Sequence, residues 1–275
     1  MDQYVYFAAV YDTFMEEVPR DKWTAFIKEK LDEYGIRDGI MLDLGCGTGV
    51  MTKRFANLGY DMIGVDSSEE MLSIAREAMG DDDILYLCQD FTNLELYGTV
   101  AAVVSTCDCL NYITDKDDLL RVFKLVNNYL EKDGLFIFDI NTEYKYKELL
   151  ADNVFAEDAE DSAFIWQNEY DAKNKLNRYG LTLFISEDIV YGDDFEEINT
   201  EDDNYLEDED KAFLRFYEEH VQRAYSLDEI KDLLKQAGME FVDAFCDYEE
   251  RCVDEKTERI TIIAKEGYQE GKYYE

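Results

Sequence analysis

The sequence predicts an α/β fold with a parallel sheet, into which an antiparallel β segment is inserted. Up to about residue 140, short apolar runs alternate with amphipathic segments of helical period, as in βαβ units. A glycine-rich loop within LDLGCGTGV (42–50) directly follows the first apolar run. The alternation stops over 151–224 and returns near Ser226. We therefore expect one α/β domain, formed by 1–150 and 226–275, interrupted by an antiparallel β lid at 151–225.

The helices and strands of the α/β part are predicted from the period of the apolar residues, from helix-capping residues and from the glycines that end helices. Helices are predicted at 21–34, 49–58, 67–79, 115–134 and 226–238. Ser67 or Ser68 and then Ser226 are placed to cap helix starts, and Gly134 and Gly238 to end helices. Strands are predicted at 40–44, 62–66, 84–90, 100–105, 135–140, 239–248 and 258–266, and the short apolar runs among them are typical of buried parallel strands.

The inserted segment is predicted to be rich in antiparallel strands. The runs AFIWQNEYD, KLNRYGLTLFISEDIV and AFLRFYEEHVQRAYS contain no convincing amphipathic helix. Residues 173–175, around Asn174, favour a hairpin turn between the first two runs. The highly acidic stretch 192–210 is expected to form a solvated loop or hairpin.

Composition excludes several classes of protein. With 275 residues, 47% of them hydrophobic, the chain can bury a sizeable core. The start of the chain has no basic region of a signal peptide, and no apolar run approaches the roughly 18 residues of a membrane span. Six cysteines without a regular framework indicate reduced thiols and a cytoplasmic location. Cys107 and Cys109 are too few and too close together to hold zinc alone, so no structural metal is expected.

The charge is strongly one-sided. There are 65 acidic and 27 basic residues, giving a formal net charge of −38. Such a chain repels nucleic acid and anionic membranes, so neither is expected as a partner. The charge fits either general solubility in an acidic habitat or a field that attracts a cationic substrate.

The glycines of the loop have strict two-residue spacing, at Gly45, Gly47 and Gly49. A glycine loop between a strand and its helix brings backbone N–H groups close to a ligand, at the positive end of the helix. Dinucleotide-binding loops have the pattern G-x-G-x-x-G, whereas this loop has G-x-G-x-G and carries Val50 where glycine or alanine would follow. The loop alone therefore indicates a ligand without specifying it.

Acidic residues at the ends of the first three strands strengthen this interpretation. Asp43 lies two residues before the first glycine. Asp66 ends the second strand, 21 residues after Gly45, where a carboxylate can accept both hydroxyls of a ribose. Asp90 and Phe91 end the third strand and offer a carboxylate for an exocyclic amine and a ring for an adenine face.

At these residues the sequence resembles the class I S-adenosylmethionine-dependent methyltransferases. LDLGCGTG is similar to their first motif, GVDSSEEML to their second, CQDF to the adenine-contacting step and VVSTCDCLNYI to the fourth-strand motif. LFIFDINTEYKY and HVQRAYSLDEIKDLLKQAGME are similar to a subgroup that methylates small molecules. The resemblance covers nearly the whole chain and is weakest over 192–210.

The resemblance implies a Rossmann-like fold with a mostly parallel seven-stranded sheet whose last strand is antiparallel. It also implies S-adenosylmethionine as the cofactor, with the glycine loop around its amino-acid end and Asp66 on its ribose. This cofactor has no pyrophosphate, and the loop carries no phosphate-binding lysine. Besides Asp43, the three glycines, Asp66, Asp90 and Phe91, the cofactor-binding residues expected are Tyr11, Cys46, Ser67, Met71, Thr106 and Cys107.

The substrate face in this family follows the fourth strand, which places Asp108, Asn111 and Tyr112 there. Asp108 would either orient a cation or cap the following turn. The predicted lid adds Trp166 to an enclosed, water-poor cavity.

Two further lid residues carry open alternatives. His220 is the only histidine, and an imidazole with an ordinary pKa of about 6.5 suits a general base. The alternative is a strand histidine satisfied by a neighbour. Arg223 would face away from the cavity unless a bulge turned it inward, where it would bind a carboxylate of the acceptor.

The function predicted is transfer of a methyl group to a small neutral or cationic molecule, such as an amine. Two alternatives come from other classes. One is a non-catalytic, cofactor-binding regulatory protein. The other is a nicotinamide-dependent oxidoreductase of the same architecture, against which Val50 and the later motifs argue.

Overall fold

The computed structural model describes residues 4–80, 83–191, 212–267 and 272. The helices in these ranges are α1 (Ala8–Phe14), α2 (Arg20–Glu33), α3 (Val50–Asn57), α4 (Glu69–Met79), α5 (Lys116–Tyr129), α6 (Glu187–Tyr191) and α7 (Leu227–Gln236). Short 3₁₀ helices lie at Phe91–Asn93 and Cys109–Tyr112, and a π-helix at Lys145–Leu150. The strands are β1 (Ile40–Leu44), β2 (Asp61–Asp66), β3 (Leu85–Cys88), β4 (Val100–Ser105), β5 (Leu130–Asn141), β6 (Val154–Asp158), β7 (Ser162–Asp171), β8 (Leu176–Ser186), β9 (Phe213–Arg223), β10 (Glu240–Cys246), β11 (Glu249–Cys252) and β12 (Arg259–Lys265).

The main sheet is mostly parallel and confirms the predicted α/β class. Its strand order is β11-β10-β12-β5-β4-β1-β2-β3. The first five strands are parallel to one another, whereas β12 runs antiparallel between β5 and β10, pairing Ile263 with Ile137. The sheet has one strand more than the seven expected, because Glu249–Cys252 turns back at the edge to pair with β10.

Helices cover both faces of this sheet, which explains the predominantly apolar runs of its strands. Along β1, Met41 packs into the core beneath α2, α3 and α4, whereas Leu42 and Leu44 pack into the core beneath α5 and α7. All three side chains are fully buried. Alternate residues of a strand point to opposite faces, so a strand with two covered faces is mostly apolar, and the buried Asp43 of β1 has the Thr52 hydroxyl as a partner.

The inserted segment forms a separate antiparallel sheet, as expected. Its strand order is β6-β7-β8-β9, and residues 172–175 form the predicted turn between β7 and β8. Leu181, Leu183 and Ile185 of β8 make a small core with Val10 of α1. The acidic stretch 192–210 lies outside the described residues.

Two predicted boundaries are wrong. The strand expected to continue through 187–190 ends at Ser186, and α6 follows it directly.

The other error concerns a helix end. The helix expected over 115–134 ends at Tyr129, and β5 begins at Leu130, so Gly134 lies inside a strand rather than at a helix end. A Cβ atom at Gly134 would lie 2.9 Å from the carbonyl oxygen of Ala101 on β4. This glycine therefore permits close approach of two strands, a requirement of tertiary pairing that a local pattern does not show.

Candidate active site

A cavity of about 560 Å³ opens at the carboxyl ends of β1, β2 and β4. In sheets of this kind ligands bind at that edge, where the connections diverge to either side. Residues from the glycine loop, the start of α4, the turn after β4 and the N-terminal segment line it: Tyr4, Tyr11, Arg20, Gly45, Cys46, Gly47, Thr48, Val50, Met51, Asp66, Ser67, Ser68, Glu69, Glu70, Met71, Phe91, Thr106, Cys107, Cys109 and Tyr112.

The three glycines of the loop have different roles. All have positive φ, at +87°, +54° and +78° for Gly45, Gly47 and Gly49. A Cβ at Gly45 would lie 2.6 Å from the Cys109 sulfur, and one at Gly49 would overlap the Tyr86 hydroxyl, so both sites are occupied by protein. A Cβ at Gly47 would meet only the Met71 sulfur, 4.0 Å away. Of the three, Gly47 alone leaves room for a ligand.

Asp66 shapes the loop from the end of β2. Its carboxylate accepts hydrogen bonds from the backbone N–H groups of Gly47 and Ser68, each at 2.9 Å. Burial raises the pKa of Asp66, and these hydrogen bonds oppose the rise. The side chain also lines the cavity, so the group that fixes the loop is available to a ligand.

Asp43 lies outside the cavity wall. It is fully buried, and one oxygen accepts a hydrogen bond from the Thr52 hydroxyl at 2.6 Å. Its other oxygen has no hydrogen-bond partner in the described part of the chain. Burial raises the pKa of Asp43 to about 7. Because Asp43 lies on β1 and Thr52 on α3, this hydrogen bond joins the strand to the helix, which indicates a structural role for Asp43.

A buried ion pair holds the cavity wall after β4. Cys107 and Asp108 both have left-handed backbone angles, with φ of +60° and +51°, which are costly for residues with side chains. Asp139 of β5 accepts their N–H groups at 3.0 and 2.7 Å. Arg259 of β12 and the Tyr248 hydroxyl bond to the same carboxylate. This arrangement stabilises a turn that would otherwise be strained.

Asp108 is already engaged by the protein. One carboxylate oxygen accepts from Arg259 at 2.8 Å and the other from the Gln222 amide at 2.7 Å. The side chain makes no cap bond to the following 3₁₀ helix. It lies outside the residues that line the cavity. Asp108 therefore links the core to β9 of the inserted sheet.

A chain of hydroxyl groups leads from the cavity to His220. The Tyr112 hydroxyl lies 2.7 Å from that of Tyr4 and 2.6 Å from that of Tyr179. It also lies 3.4 Å from Nδ1 of His220, whose ring stacks on Tyr179 with centroids 4.7 Å apart. On its other side, His220 Nε2 is 3.3 Å from Oε2 of Glu218. The histidine is fully buried behind Tyr112 and does not line the cavity.

The other predicted substrate residues have structural partners. Asn111 is fully buried and donates to the carbonyl oxygens of Asn141 and Arg223 at 3.1 and 2.8 Å. Trp166 packs on Tyr179 with ring centroids 4.8 Å apart. Arg223 donates to the carbonyl oxygen of Thr114 at 3.2 Å and lies 3.8 Å from a carboxylate oxygen of Glu229 on α7.

The structure thus gathers part of the predicted site into one cavity. The predicted residues that line it are Tyr11, Gly45, Cys46, Gly47, Asp66, Ser67, Met71, Phe91, Thr106, Cys107 and Tyr112. Those outside its wall are Asp43, Gly49, Asp90, Asp108, Asn111, Trp166, His220 and Arg223. Asp90 instead caps the 3₁₀ helix that it precedes, accepting from the Thr92 amide at 2.7 Å.

Several cavity residues were missed in the sequence, among them Tyr4, Arg20 and Thr48. Tyr4 precedes α1 and has a left-handed backbone, so no helical period links it to Tyr11. The sequence carries no signal for Arg20 and Thr48 beyond their proximity to other motifs.

The thiols in the cavity wall are unsuited to nucleophilic chemistry. Burial raises the pKa of Cys107 to about 12 and holds those of Cys46 and Cys109 well above the ordinary value. They therefore stay protonated at neutral pH. Within the described ranges, no group of three or more His, Cys, Asp or Glu side chains could hold a metal ion. No helix in those ranges is long and apolar enough to cross a bilayer.

Fold and site together define a class I methyltransferase. The antiparallel β12 lies between β5 and β10 in a mostly parallel sheet, and an open glycine and a carboxylate on β2 face one cavity. The methyltransferase domain family matches residues 41–134. A Bacillus subtilis protein, provisionally named methyltransferase YqeM, is 32% identical over 261 residues, covering 94% of this chain and 95% of its own length.

The chain belongs to the S-adenosylmethionine-dependent methyltransferases, and S-adenosylmethionine is its cofactor. A solved S-adenosylmethionine-dependent methyltransferase from Clostridium acetobutylicum is 32% identical, with a TM-score of 0.79 and coverage of 95% of this chain and 98% of its own. SAM-bound CalS10, an amino pentose methyltransferase from Micromonospora echinaspora, shares the fold with a TM-score of 0.69 at 14% identity, covering 97% of this chain and 100% of its own. The open cradle at Gly47 fits this cofactor, since a ligand can lie against the backbone there.

Proposed function

We propose that this enzyme transfers the methyl group to a small neutral or cationic molecule, such as an amine. The observation that carries the proposal is the tyrosine wall of the cavity, formed by Tyr4, Tyr11 and Tyr112. Burial raises the pKa of all three phenols, so they stay neutral and offer ring faces and hydroxyl groups. Aromatic faces and hydroxyl groups suit an ammonium group or a neutral amine better than a polyanion.

We propose the following division of the cavity between the two ligands. The glycine loop and the Thr106–Cys107 backbone hold the amino-acid end of the cofactor, Asp66 and Ser67 its ribose, and Met71 and Phe91 its adenine. The cofactor supplies a methyl group activated by a sulfonium. The protein contributes enclosure and alignment, and alignment alone can supply about 7–11 kcal/mol in the best model systems.

The inserted sheet, within 151–225, is proposed as the lid of the acceptor site. Its β9 is joined to the core through Gln222 and Asp108, and its Tyr179 bonds to Tyr112 at the cavity wall. A cavity of about 560 Å³ is of the size that suits a small-molecule ligand. The fold shared with CalS10, an amino pentose methyltransferase, supports the proposal of a small acceptor bearing an amine.

His220 is proposed as the base that takes a proton from an ammonium acceptor, acting through Tyr112. The carboxylate of Glu218 next to it would stabilise the imidazolium. Arg223 lies against α7, and this removes the reason to expect a carboxylate on the acceptor. Both carboxylate oxygens of Asp108 bond to protein groups, so Asp108 is not proposed as the group that attracts a cationic acceptor. The proposed preference for cations rests instead on the net charge of −38 and on the tyrosine rings of the cavity wall.

The test is a substrate panel with isotopically labelled S-adenosylmethionine. Small amines, alcohols, carboxylates, phosphorylated metabolites and nucleic acids are offered in parallel, and methylated products are identified by mass spectrometry. We expect label in one or more amines. Labelling of polyanions alone would contradict the proposal. With an amine identified, His220→Gln should slow methylation below the pKa of that amine while cofactor affinity, measured by calorimetry, stays unchanged.

A further inference from the structure

The N-terminal strap, residues 4–14, connects the cofactor cavity with the inserted sheet. Its Tyr4 and Tyr11 line the cavity. On its other side, Tyr6 stacks on Phe216 of β9 with ring centroids 4.0 Å apart, and Val10 is buried in the core of the inserted sheet. The strap therefore forms one wall of the cavity and rests on the insertion.

One buried carboxylate holds the start of this strap. Glu218 on β9 is only 3% exposed. Its Oε2 accepts the backbone N–H of Tyr4 at 3.0 Å, and its Oε1 accepts those of Tyr6 and Phe7 at 2.8 and 3.0 Å. Hydrogen bonds to an ionised acceptor are about twice as strong as neutral ones, and a buried carboxylate without partners is costly.

The far end of the strap is held separately on the cofactor loop. The Thr48 hydroxyl donates to Asp12 at 2.9 Å, and Arg20 lies 3.7 Å from the same carboxylate oxygen. Thr48 belongs to the glycine loop, and Arg20 lines the cavity. The strap is thus attached at one end to the inserted sheet and at the other to the residues that surround the cofactor.

We propose that Glu218 is a positioning residue that holds the strap closed over bound cofactor, and that the cofactor is released only when this attachment opens. Tyr4 and Tyr11 occupy their places in the wall because the amides of residues 4, 6 and 7 are fixed on Glu218. This role concerns the cofactor, so it does not depend on the identity of the methyl acceptor.

The ionisation state of Glu218 supports this role. Burial alone would raise the pKa of Glu218, but the contact with His220 and the three amides outweigh burial and hold the pKa below its ordinary value. The carboxylate therefore stays ionised at neutral pH and remains a strong acceptor. Glutamine at this position would keep the size of the side chain and lose the charge.

The test is the release rate of S-adenosylhomocysteine, the demethylated cofactor, measured by stopped-flow competition on the full chain. Glu218→Gln should release it at least tenfold faster than the parent, because the strap amides then lose their ionised acceptor. Tenfold is equivalent to about 1.4 kcal/mol. Glu219→Gln makes the same change on the exposed side of the same strand and should release it at the parental rate. Glu218→Asp keeps the charge and should fall between the parent and Glu218→Gln.

Hydrogen exchange separates this role from a general loss of folding. In Glu218→Gln, peptides spanning residues 4–14 should exchange faster and gain little protection from S-adenosylhomocysteine, whereas peptides from β7 and β8 should exchange as in the parent. Unchanged exchange in the strap together with an unchanged release rate would overturn the proposal. Faster exchange throughout β7, β8 and the strap would also overturn it, since Glu218 would then only support the inserted sheet.

Discussion

Gly45, Gly47 and Gly49 are indistinguishable in sequence, yet their surroundings differ. Gly45 and Gly49 leave room for Cys109 and Tyr86, whereas Gly47 faces open space next to Met71. A glycine-rich motif therefore combines two requirements, a tightly folded loop and a clear approach for the ligand. The sequence predicts the motif, but it cannot assign these roles, because the neighbours that decide them come from distant segments.

Asp66 is expected to be the carboxylate on which cofactor affinity depends most. Asp66→Ala removes an ionised acceptor from the loop amides and from the proposed ribose contact. Charge-assisted hydrogen bonds contribute about 1.5–3 kcal/mol each and are not additive, so a loss of about 2–4 kcal/mol is expected in calorimetry with S-adenosylhomocysteine. Asp61→Ala, at the exposed start of the same strand, is the control and should bind like the parent. Parental affinity in Asp66→Ala would show that the ribose lies elsewhere.

The residues that sequence reasoning missed are joined by contacts across long stretches of chain. Glu218 bonds to residues 4, 6 and 7, and Arg259 bonds to Asp108 and Asp139. Each is one acid or base among 92 such residues in the chain, and no local period distinguishes it. Motif residues lie together in sequence because one loop builds that part of the site. The supporting residues come together only in the fold.

At the scale of elements, the helices and strands of the α/β part were predictable because burial imposes a period. The amphipathic helix α7 begins directly after its N-cap Ser226 and ends at Gln236, two residues before Gly238, close to the predicted bounds. The start of β5 was not predictable in this way. Residues 130–134 read LEKDG and continue a polar helical surface in sequence, but Leu130 pairs with Val100 and Leu135 with Ala102 of β4, so the residues between them form a bulge in the strand. Strand pairing outweighed local propensity there.

The cap at Ser226 gives a prediction about stability. Its hydroxyl accepts the Glu229 amide at 3.2 Å, and the Glu229 carboxylate accepts the Ser226 amide at 2.9 Å, forming a capping box. Ser226→Ala should lower the free energy of unfolding by about 1 kcal/mol in urea titration. Ser73→Ala, at an exposed position inside α4, should leave it unchanged or raise it slightly. Equal effects of the two changes would contradict the role of the cap.

At the scale of the whole molecule, the parallel sheet and the N-terminal strap line the cavity, and the inserted sheet supports that wall from behind. The parallel sheet provides the cofactor loop and the strap provides Tyr4 and Tyr11. Tyr179 and Glu218 of the inserted sheet bond to Tyr112 and to the strap. This arrangement explains why the resemblance in sequence specifies the cofactor better than the acceptor. The cofactor loop is continuous in the chain, whereas the proposed acceptor wall is assembled from the strap and the turn after β4.

Asp43 makes the stability of the whole molecule depend on pH. Its pKa is raised to about 7 in the folded state, against about 3.9 in an unfolded chain. Between these values the folded state holds a proton that the unfolded state has lost, so this group lowers the free energy of unfolding as pH rises from 4 to 7, by at most about 4 kcal/mol.

The variant Asp43→Asn removes this titration. The free energy of unfolding of Asp43→Asn relative to the parent should therefore rise between pH 4 and pH 8, as measured by urea unfolding at each pH. Asp61→Asn, at an exposed position, should show no such trend relative to the parent. A pH-independent difference for Asp43→Asn would mean that Asp43 titrates normally in the folded protein.

The central claim, that S-adenosylmethionine lies against the backbone at Gly47, is tested most directly by calorimetry on two glycine variants. Gly47→Val places a side chain in the open cradle, whereas Gly35→Val imposes a comparable backbone strain at φ +81° with nothing within 4 Å of the new Cβ. We expect Gly35→Val to bind S-adenosylhomocysteine like the parent and Gly47→Val to lose about 100-fold or more in affinity, equivalent to about 2.7 kcal/mol. Parental affinity in a folded Gly47→Val variant would contradict the account.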